Sequence, residues 1–470
     1  MTFHVLTVGW NTDVIRRLGD PIEKMTGFTF SHILDPSIEG RSFKRTGDRR
    51  FFFVRDHFRD AMPPADAALL GRLEQPGVPT VHNMLMGDRL VRRLESSDAL
   101  AYATFLARRF EALFREIEPS VIIGGFDGLH SGIAMAVARS LGIPWFAMQF
   151  TAIPLGMMGF CSGMTPDTAA SYLPASLEST RSLAERTLTE FESRRLVVPT
   201  YLSANSMGMI LKRLPDHLRV LLRALRRSRF DRYTQVKPRD LAREYVRKRV
   251  NLFRLSKQPM LTAPPATPYI FFGLHMQPES SIDVWAPFFA DQFAVIEAIA
   301  RSTPPTHPLL VKLHKSDADN YSRRQLDHLR RLPGVRLVSP YAQSRDFIEK
   351  ADLVLAIQGN IAMEAALLGR PVLLFGDSKF TQMPSVSKVK RVTDLPQQIR
   401  EKLAEPRPER EAILRGLMSY LSSYAPGCSN DWTQTPTEAE MRALAEHFKV
   451  LRDHLTSRAT VSFERVARAD

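Results

Sequence analysis

Short apolar runs alternate along this chain with longer stretches whose apolar residues recur three and four positions apart. The first runs, Phe3 to Val8 and Val121 to Gly124, have the length and composition of β-strands. Between them, Asp98 to Ile117 carries the period of a long amphipathic helix, and Ala134 to Leu141 predicts another before the buried strand Trp145 to Phe150. The alternation resumes later. Tyr269 to Leu274, Leu309 to Lys315, Val335 to Ser339, Leu353 to Ile357 and Val372 to Phe375 read as strands, with helical patterns such as Phe289 to Ala300 between them. Continuous apolar runs without polar alternation are the mark of parallel strands covered on both faces. The pattern therefore predicts an α/β protein with two Rossmann-like domains.

One segment is richer in information than the rest. ADLVLAIQGNIAMEAALLGRPVLLFGD, from Ala351 to Asp377, reads as strand, tight turn, short helix, tight turn, strand. Gln358-Gly359-Asn360 turns the chain, and Asn360 is expected to cap a helix from Ile361 to Leu368. Gly369 is the expected left-handed stop, and Arg370-Pro371 leaves it. Such a turn sets free backbone N–H groups and a positive helix end at the carboxyl edge of a sheet, where open α/β folds hold phosphates. Glu364, one turn inside, is placed to reach a ribose hydroxyl. A plain βαβ unit with no ligand has the same local pattern.

At 470 residues the chain is too long for one core. The expected division is an N-terminal α/β domain over 1–165, a basic helical insertion over 166–262, a C-terminal α/β domain over 263–423, and a helix and tail over 424–470. Within the first, Gly40 to Ala65 reads as irregular surface, and in the last Thr435 and Glu438 have the spacing of a capping box. Cys161 and Cys428 are far apart and suggest neither a disulfide framework nor a zinc site. The start, MTFHVLTVGW, lacks a signal-peptide pattern, and a cytoplasmic location is expected. Leu141 to Pro166 holds no charged residue, but Pro144, Pro154, four glycines and Gln149 interrupt it, which argues against a membrane span.

The order of YIFF, LHMQPE, VKLH, the QGN turn and EAALLGRPV resembles the capsule-polysaccharide biosynthesis family of glycosyltransferases, which includes Kdo transferases. Its donor domain is similar to that of bacterial sialyltransferases of GT-B fold. The resemblance covers roughly Tyr269 to Asp377. It implies a GT-B arrangement and a nucleotide-sugar donor held by His275, Gln277, Lys312, His314, Gln358, Gly359, Asn360 and Glu364. It implies a glycan or glycolipid acceptor and no bound metal or other cofactor. Relatives usually carry Lys-Glu-His-Pro where this chain has Lys312-Leu313-His314-Lys315, so the nucleotide is left open.

The expected acid–base groups are Asp127 and His130, which follow the strand Val121 to Gly124, and Glu279, which follows Tyr269 to Leu274. Asp127 and Ser131 are equally placed to cap the helix after them. Asp317-Ala318-Asp319 has the letters of a metal-chelating tripeptide but reads as a helix start.

The charge of +14 is concentrated: Leu211 to Lys257 holds 16 Lys and Arg against 4 Asp and Glu, a net of +12. Two basic amphipathic helices are predicted there, suited to an anionic membrane surface, with nucleic acid not expected as partner. The uncharged, Met-rich stretch Met148 to Met164 is a candidate lining for an apolar acceptor path. Alternatives to a glycosyltransferase are a nucleotide-sugar epimerase or polyol-phosphate transferase on the same fold, or a non-catalytic basic protein binding membrane or nucleic acid.

Overall fold

The computed structural model describes residues 2–10, 14–34, 48–55, 61–125, 128–163, 177–196, 231–426 and 436–467. The chain divides into two compact units, Met1–Ala184 with Met418–Asp470, and Glu185–Leu417. The first boundary falls inside the helix Leu177–Glu192 and the second inside the helix Arg410–Leu421.

Six strands precede the second unit: β1 (His4–Val8), β2 (Thr29–Leu34), β3 (Phe51–Phe53), β4 (Val121–Gly124), β5 (Trp145–Phe150) and β6 (Met157–Cys161). Six lie within it: β7 (Ile270–Gly273), β8 (Leu309–Lys312), β9 (Val335–Val338), β10 (Leu353–Ala356), β11 (Val372–Leu374) and β12 (Val386–Lys388). β13 (Ala425–Pro426) returns to the first.

The first sheet has the order β13-β6-β5-β4-β1-β2-β3, with β3, β2, β1, β4 and β5 parallel and β6 and β13 antiparallel at one edge. The uncharged stretch after Leu141 is thus a β5–β6 hairpin. Met148, Met157 and Met158 are buried in it and pack the sheet; Met164 lies outside the described residues. β3 corrects the expectation of irregular surface over 40–65, much of which is not described: Phe51–Phe53 pairs with β2, and Phe53 is buried. Gly159 makes room for β13, because a Cβ there would lie 2.5 Å from the Ser423 carbonyl oxygen.

The second sheet is all parallel, in the order β12-β11-β10-β7-β8-β9. Counted from β7, that is the dinucleotide-fold order 3-2-1-4-5-6, which reverses between β7 and β10. Ile270, Phe271, Phe272, Leu309, Leu310, Val311, Leu353, Val354 and Leu355 are fully buried, as expected for central strands covered on both faces.

The helix Glu438–Ala467 belongs to the first unit. Met441, Leu444, Phe448 and Leu451 enter the core, and the Phe448 ring lies 5.7 Å from Phe30 and 5.2 Å from Phe160. Its capping box sits two residues later than expected. Thr437 Oγ1 accepts from the Glu440 N–H at 3.2 Å, and the Glu440 carboxylate accepts from Thr437 N at 2.7 Å; Thr435 is outside the described residues. Among the described residues no helix is long and apolar enough to cross a membrane.

Phe448→Ala removes an aromatic wedged between two others and is expected to cost about 3–5 kcal/mol of stability. Denaturant unfolding of the variant checks this, and an unchanged midpoint would show that the tail helix contributes little to the first unit.

Candidate functional site

The chain reverses strand order between β7 and β10, so the loops after them leave a crevice at the carboxyl edge of the second sheet. The loop after β10 is the Gln358-Gly359 turn. Gly359 has φ of +88°, and a Cβ there would lie 2.9 Å from Cε1 of the His275 ring, so only glycine fits. The helix that follows runs Asn360–Leu367. Gly359 is its N-cap with no side-chain cap, which corrects the reading of Asn360 as the cap: Asn360 is the first helical residue. The opening N–H groups thus have no side chain of that cap over them. Gly369 ends the helix in the left-handed region, at φ of +64°, as its position predicted.

The loop after β7 delivers His275. Its main chain is clamped by the buried Gln292, whose Oε1 accepts from His275 N at 2.8 Å and whose Nε2 donates to His275 O at 3.2 Å. The ring Nε2 accepts from Gln358 N at 3.3 Å, tying the two loops together. Burial, with His314 nearby, lowers His275 to about 3, so the ring is neutral at neutral pH.

β8 supplies the cations. Lys312 is buried, donates from Nζ to Pro340 O at 3.1 Å, and is lowered to about 8, chiefly by burial and then by Lys315, with Glu364 acting against both. The His314 main-chain N–H donates to the Tyr321 hydroxyl, 3.0 Å away. Burial and then the Lys312 charge lower it to about 4. Glu364 is raised to about 7 by burial, with Arg345 and Lys312 pulling the other way. Two buried side-chain atoms on this edge, His314 Nδ1 and Gln358 Nε2, have no hydrogen-bond partner. Buried polar atoms are nearly always paired, and an orphan beside a crevice marks a place a ligand can complete.

His275, Gln358 and Gly359 therefore touch one another, and Lys312, His314 and Glu364 interact electrostatically. Gln277 and Glu279 lie on the same β7 loop, each held by further hydrogen bonds. The Gln277 amide donates to Asp283 Oδ1 at 2.9 Å and Ala290 O at 3.1 Å, and accepts from Gln292 at 3.3 Å, so it holds the loop. Glu279 accepts from Ser281 Oγ at 2.6 Å and donates its N–H to Asp283 Oδ2 at 3.1 Å. Asp283 and Gln292, which organise this loop, went unnoticed in the sequence because nothing local distinguishes them from helix-start residues.

Asp317 is not a helix start. It ends a 3-10 turn, Lys315–Asp317, and the helix begins at Arg323 under a Ser322–Gln325 capping box. Asp317 and Asp319 are buried, and burial raises Asp317 to about 7, opposed by the Asn320 amide and reinforced by Asp319. Among the described residues no cluster of His, Cys, Asp and Glu has the arrangement to hold a metal ion.

In the first unit the corresponding helix, Gly128–Ser140, is differently finished. The Asp88 carboxylate accepts from Leu129 N at 3.1 Å and, through its other oxygen, from Leu90 N and Val91 N at 2.9 Å. A built-in carboxylate thus takes the place an anion would occupy at a helix N-terminus. This cap was assigned to Asp127 and Ser131 in the sequence; Asp127 lies outside the described residues. His130 Nε2 is hydrogen-bonded to the Tyr102 hydroxyl at 2.6 Å.

No protein-family model matches the chain, and no curated protein matches it. Among solved structures it is similar to a UDP-GlcNAc 2-epimerase from Methanocaldococcus jannaschii in complex with UDP-GlcNAc and UDP, at 13% identity and a TM-score of 0.28, over 88% of this chain and 98% of that one. It is similar also to the β-Kdo 2,4 transferase KpsC of Thermosulfurimonas dismutans, at 15% identity and a TM-score of 0.33, over 64% of this chain and 79% of that one. A glycosyltransferase of kitacinnamycin matches at 14% identity and a TM-score of 0.27, over 89% and 95% of the two chains. These likenesses are distant and assign neither an activity nor a ligand to this chain.

Two outcomes follow from the geometry. Gly359→Ala meets both the positive φ and the His275 ring and is expected to destabilise the second unit by about 1–3 kcal/mol before any ligand is added. Thermal unfolding of the ligand-free variant checks it. Glu364 has a folded pKa of about 7 against 4.5, so the folded state holds its proton more tightly. The stability this gives is present below 4.5 and lost as pH rises through 7. Glu364→Gln is therefore expected to gain on the wild type between pH 4.5 and 8, by at most about 3 kcal/mol. A pH series of unfolding midpoints for both proteins reads this, and a difference that stays flat with pH would refute the buried carboxyl.

Proposed function

We propose that the chain is an enzyme acting on a nucleotide-activated sugar, and specifically a glycosyltransferase whose donor phosphates rest at the switch point of the second sheet. The observation that carries this reading is the Gly359 turn: a glycine-only approach to His275, a helix N-terminus with no side-chain cap, and orphaned buried atoms on Gln358 and His314. The family resemblance over Tyr269 to Asp377 supports it. The first unit's corresponding helix, closed by Asp88, favours assigning the donor to the second unit.

In sugar transfer the bond between the anomeric carbon and the donor phosphate breaks, and negative charge gathers on the departing phosphate. Fixed N–H dipoles from the Gly359–Asn360 turn meet that charge without reorganising. Lys312, lowered only to about 8, is still mostly protonated at neutral pH and adds a full charge. His314 is neutral and offers Nδ1 as a hydrogen-bonding group. Glu364 is assigned to the ribose hydroxyls, for which a group ionising near 7 is a strong acceptor.

The acceptor, a surface glycan or a glycolipid in this reading, must lose a hydroxyl proton. Glu279 is assigned that role, with Asp127 and His130 as the first unit's candidates. No metal is required, because the charge on the leaving group is met by protein.

Calorimetric titration with CMP, UDP and GDP is expected to show binding of one of them. Lys312→Met and His314→Ala should each lower turnover roughly 100-fold while shifting the unfolding midpoint little. Glu279→Gln should lower turnover about 10²–10⁴-fold with nucleotide affinity unchanged. Absence of binding by all three nucleotides would refute the donor site. Conversion of a donor sugar to its epimer in the absence of any acceptor would replace transfer by epimerisation.

A further inference from the structure

The helix Pro238–Ser256 is seated on the second unit by one side only. Leu255 is buried in the core with Leu252 packed against it, and Asn251 Nδ2 donates to Asp319 O at 3.2 Å. The other side is open to solvent and unlike an ordinary surface. Val246, Val250 and Phe253 are 61%, 40% and 58% exposed, at a spacing of four and three residues that puts them in one stripe. Arg239, Arg243, Arg247, Arg254 and Lys257 are exposed along the same arc. Of the two acidic residues on the helix, Glu244 is paired with Lys248 at 3.3 Å and Asp240 is partly buried, so the exposed charges along the stripe are cationic. The Lys257 ammonium lies 4.3 Å from the Phe253 ring centroid, so cation and apolar stripe are in direct contact.

A solvated helix face carries charges of both signs, and an ordinary apolar seam is covered. Among the described residues this face is apolar, cationic and uncovered at once. Nucleic acid would use the cations but offers nothing to two valines and a phenylalanine. A purely apolar protein groove would take the stripe but give the flanking cations no partner. A bilayer with anionic headgroups meets both halves: the side chains enter the headgroup–acyl boundary while the arginines face phosphates and carboxylates.

We propose that the outward face of Pro238–Ser256, with Val246, Val250 and Phe253 as the inserted groups, is a docking surface for an anionic lipid bilayer. None of Val246, Val250 and Phe253 belongs to the candidate donor site, so the proposal is tested independently of the function given above.

The test uses the full-length protein and sedimentation with vesicles of phosphatidylcholine alone, or with about 30% phosphatidylserine. Wild type is expected to partition onto the anionic vesicles at 0.1 M salt and to be largely released at 1 M, where the Debye length has fallen from about 10 Å to about 3 Å. Val246→Ser, Val250→Ser and Phe253→Ser combined should lower partitioning at least tenfold, and Arg243→Gln with Arg247→Gln by roughly 20-fold on anionic vesicles. These side chains are exposed, so the unfolding midpoint should hold. Intrinsic fluorescence of Phe253→Trp, compared with wild type, should shift to the blue on anionic vesicles. Equal binding to neutral and anionic vesicles would overturn the proposal. So would retained binding in the serine variant, which would assign docking to another part of the chain. Loss of a concentration-dependent dimer in that variant, read by light scattering without lipid, would assign the face to a second copy and overturn it too.

Discussion

The contact between Gly359 and the imidazole of His275 governs the carboxyl edge of the second sheet. Two loops that leave adjacent strands in the reversed part of the order must come within van der Waals distance there, and one of them can do so only by giving up its side chain. The rest follows. The Gln358 N–H reaches His275 Nε2, the helix Asn360–Leu367 starts at the crevice, and Gln292 fixes the histidine main chain from behind. Because the hydrogen bond uses Nε2 as acceptor, the ring must stay neutral, and burial enforces that. A protonated His275 would lose this bond and carry its charge beside His314 in a buried place.

The electrostatics of that edge are set by burial. Lys312 and Glu364 are both displaced toward neutral pH by burial, and each partly restores the charge of the other. Neither is satisfied as it would be in water. An incoming anion would favour the charged lysine and the protonated carboxyl, whereas a neutral ligand would favour neither. Ionisable groups displaced by burial in a concave place are a common property of functional sites. The buried Asp317 shows that displacement alone is insufficient, because its carboxyl is spent on Asn320 and lies within a turn.

Much of the fold was legible because strong patterns are local. Central parallel strands announce themselves as apolar runs, so β7, β8, β10 and β11 and the glycine stops beside them were readable to within a few residues. What escaped was set by distant partners. β3 is three residues long and exists because β2 pairs with it; β13 exists because Gly159 leaves space for it. The hairpin β5–β6 was half seen, since Met157 to Cys161 carries no alternation to mark a strand at an edge. At the site, the turn and its cations could be read from spacing, but the clamp by Gln292 and Asp283 could not. Asn360 was misjudged for a related reason: a glycine that needs a positive φ takes the cap position ahead of a better capping side chain.

The tail helix has a consequence for how the molecule comes into being. The core of the first unit holds Phe30 from the start of the chain and Phe448 and Leu451 from near its end. A ribosome delivers the N-terminal strands first, yet their sheet keeps an open apolar face until some 440 residues have emerged, by which time every strand of the second unit has been made. The usual order, in which the N-terminal domain folds first during synthesis, is inverted. The first unit is the last to be finished, and a message cut short between Leu417 and Met441 yields a chain with one completed unit and one that cannot close.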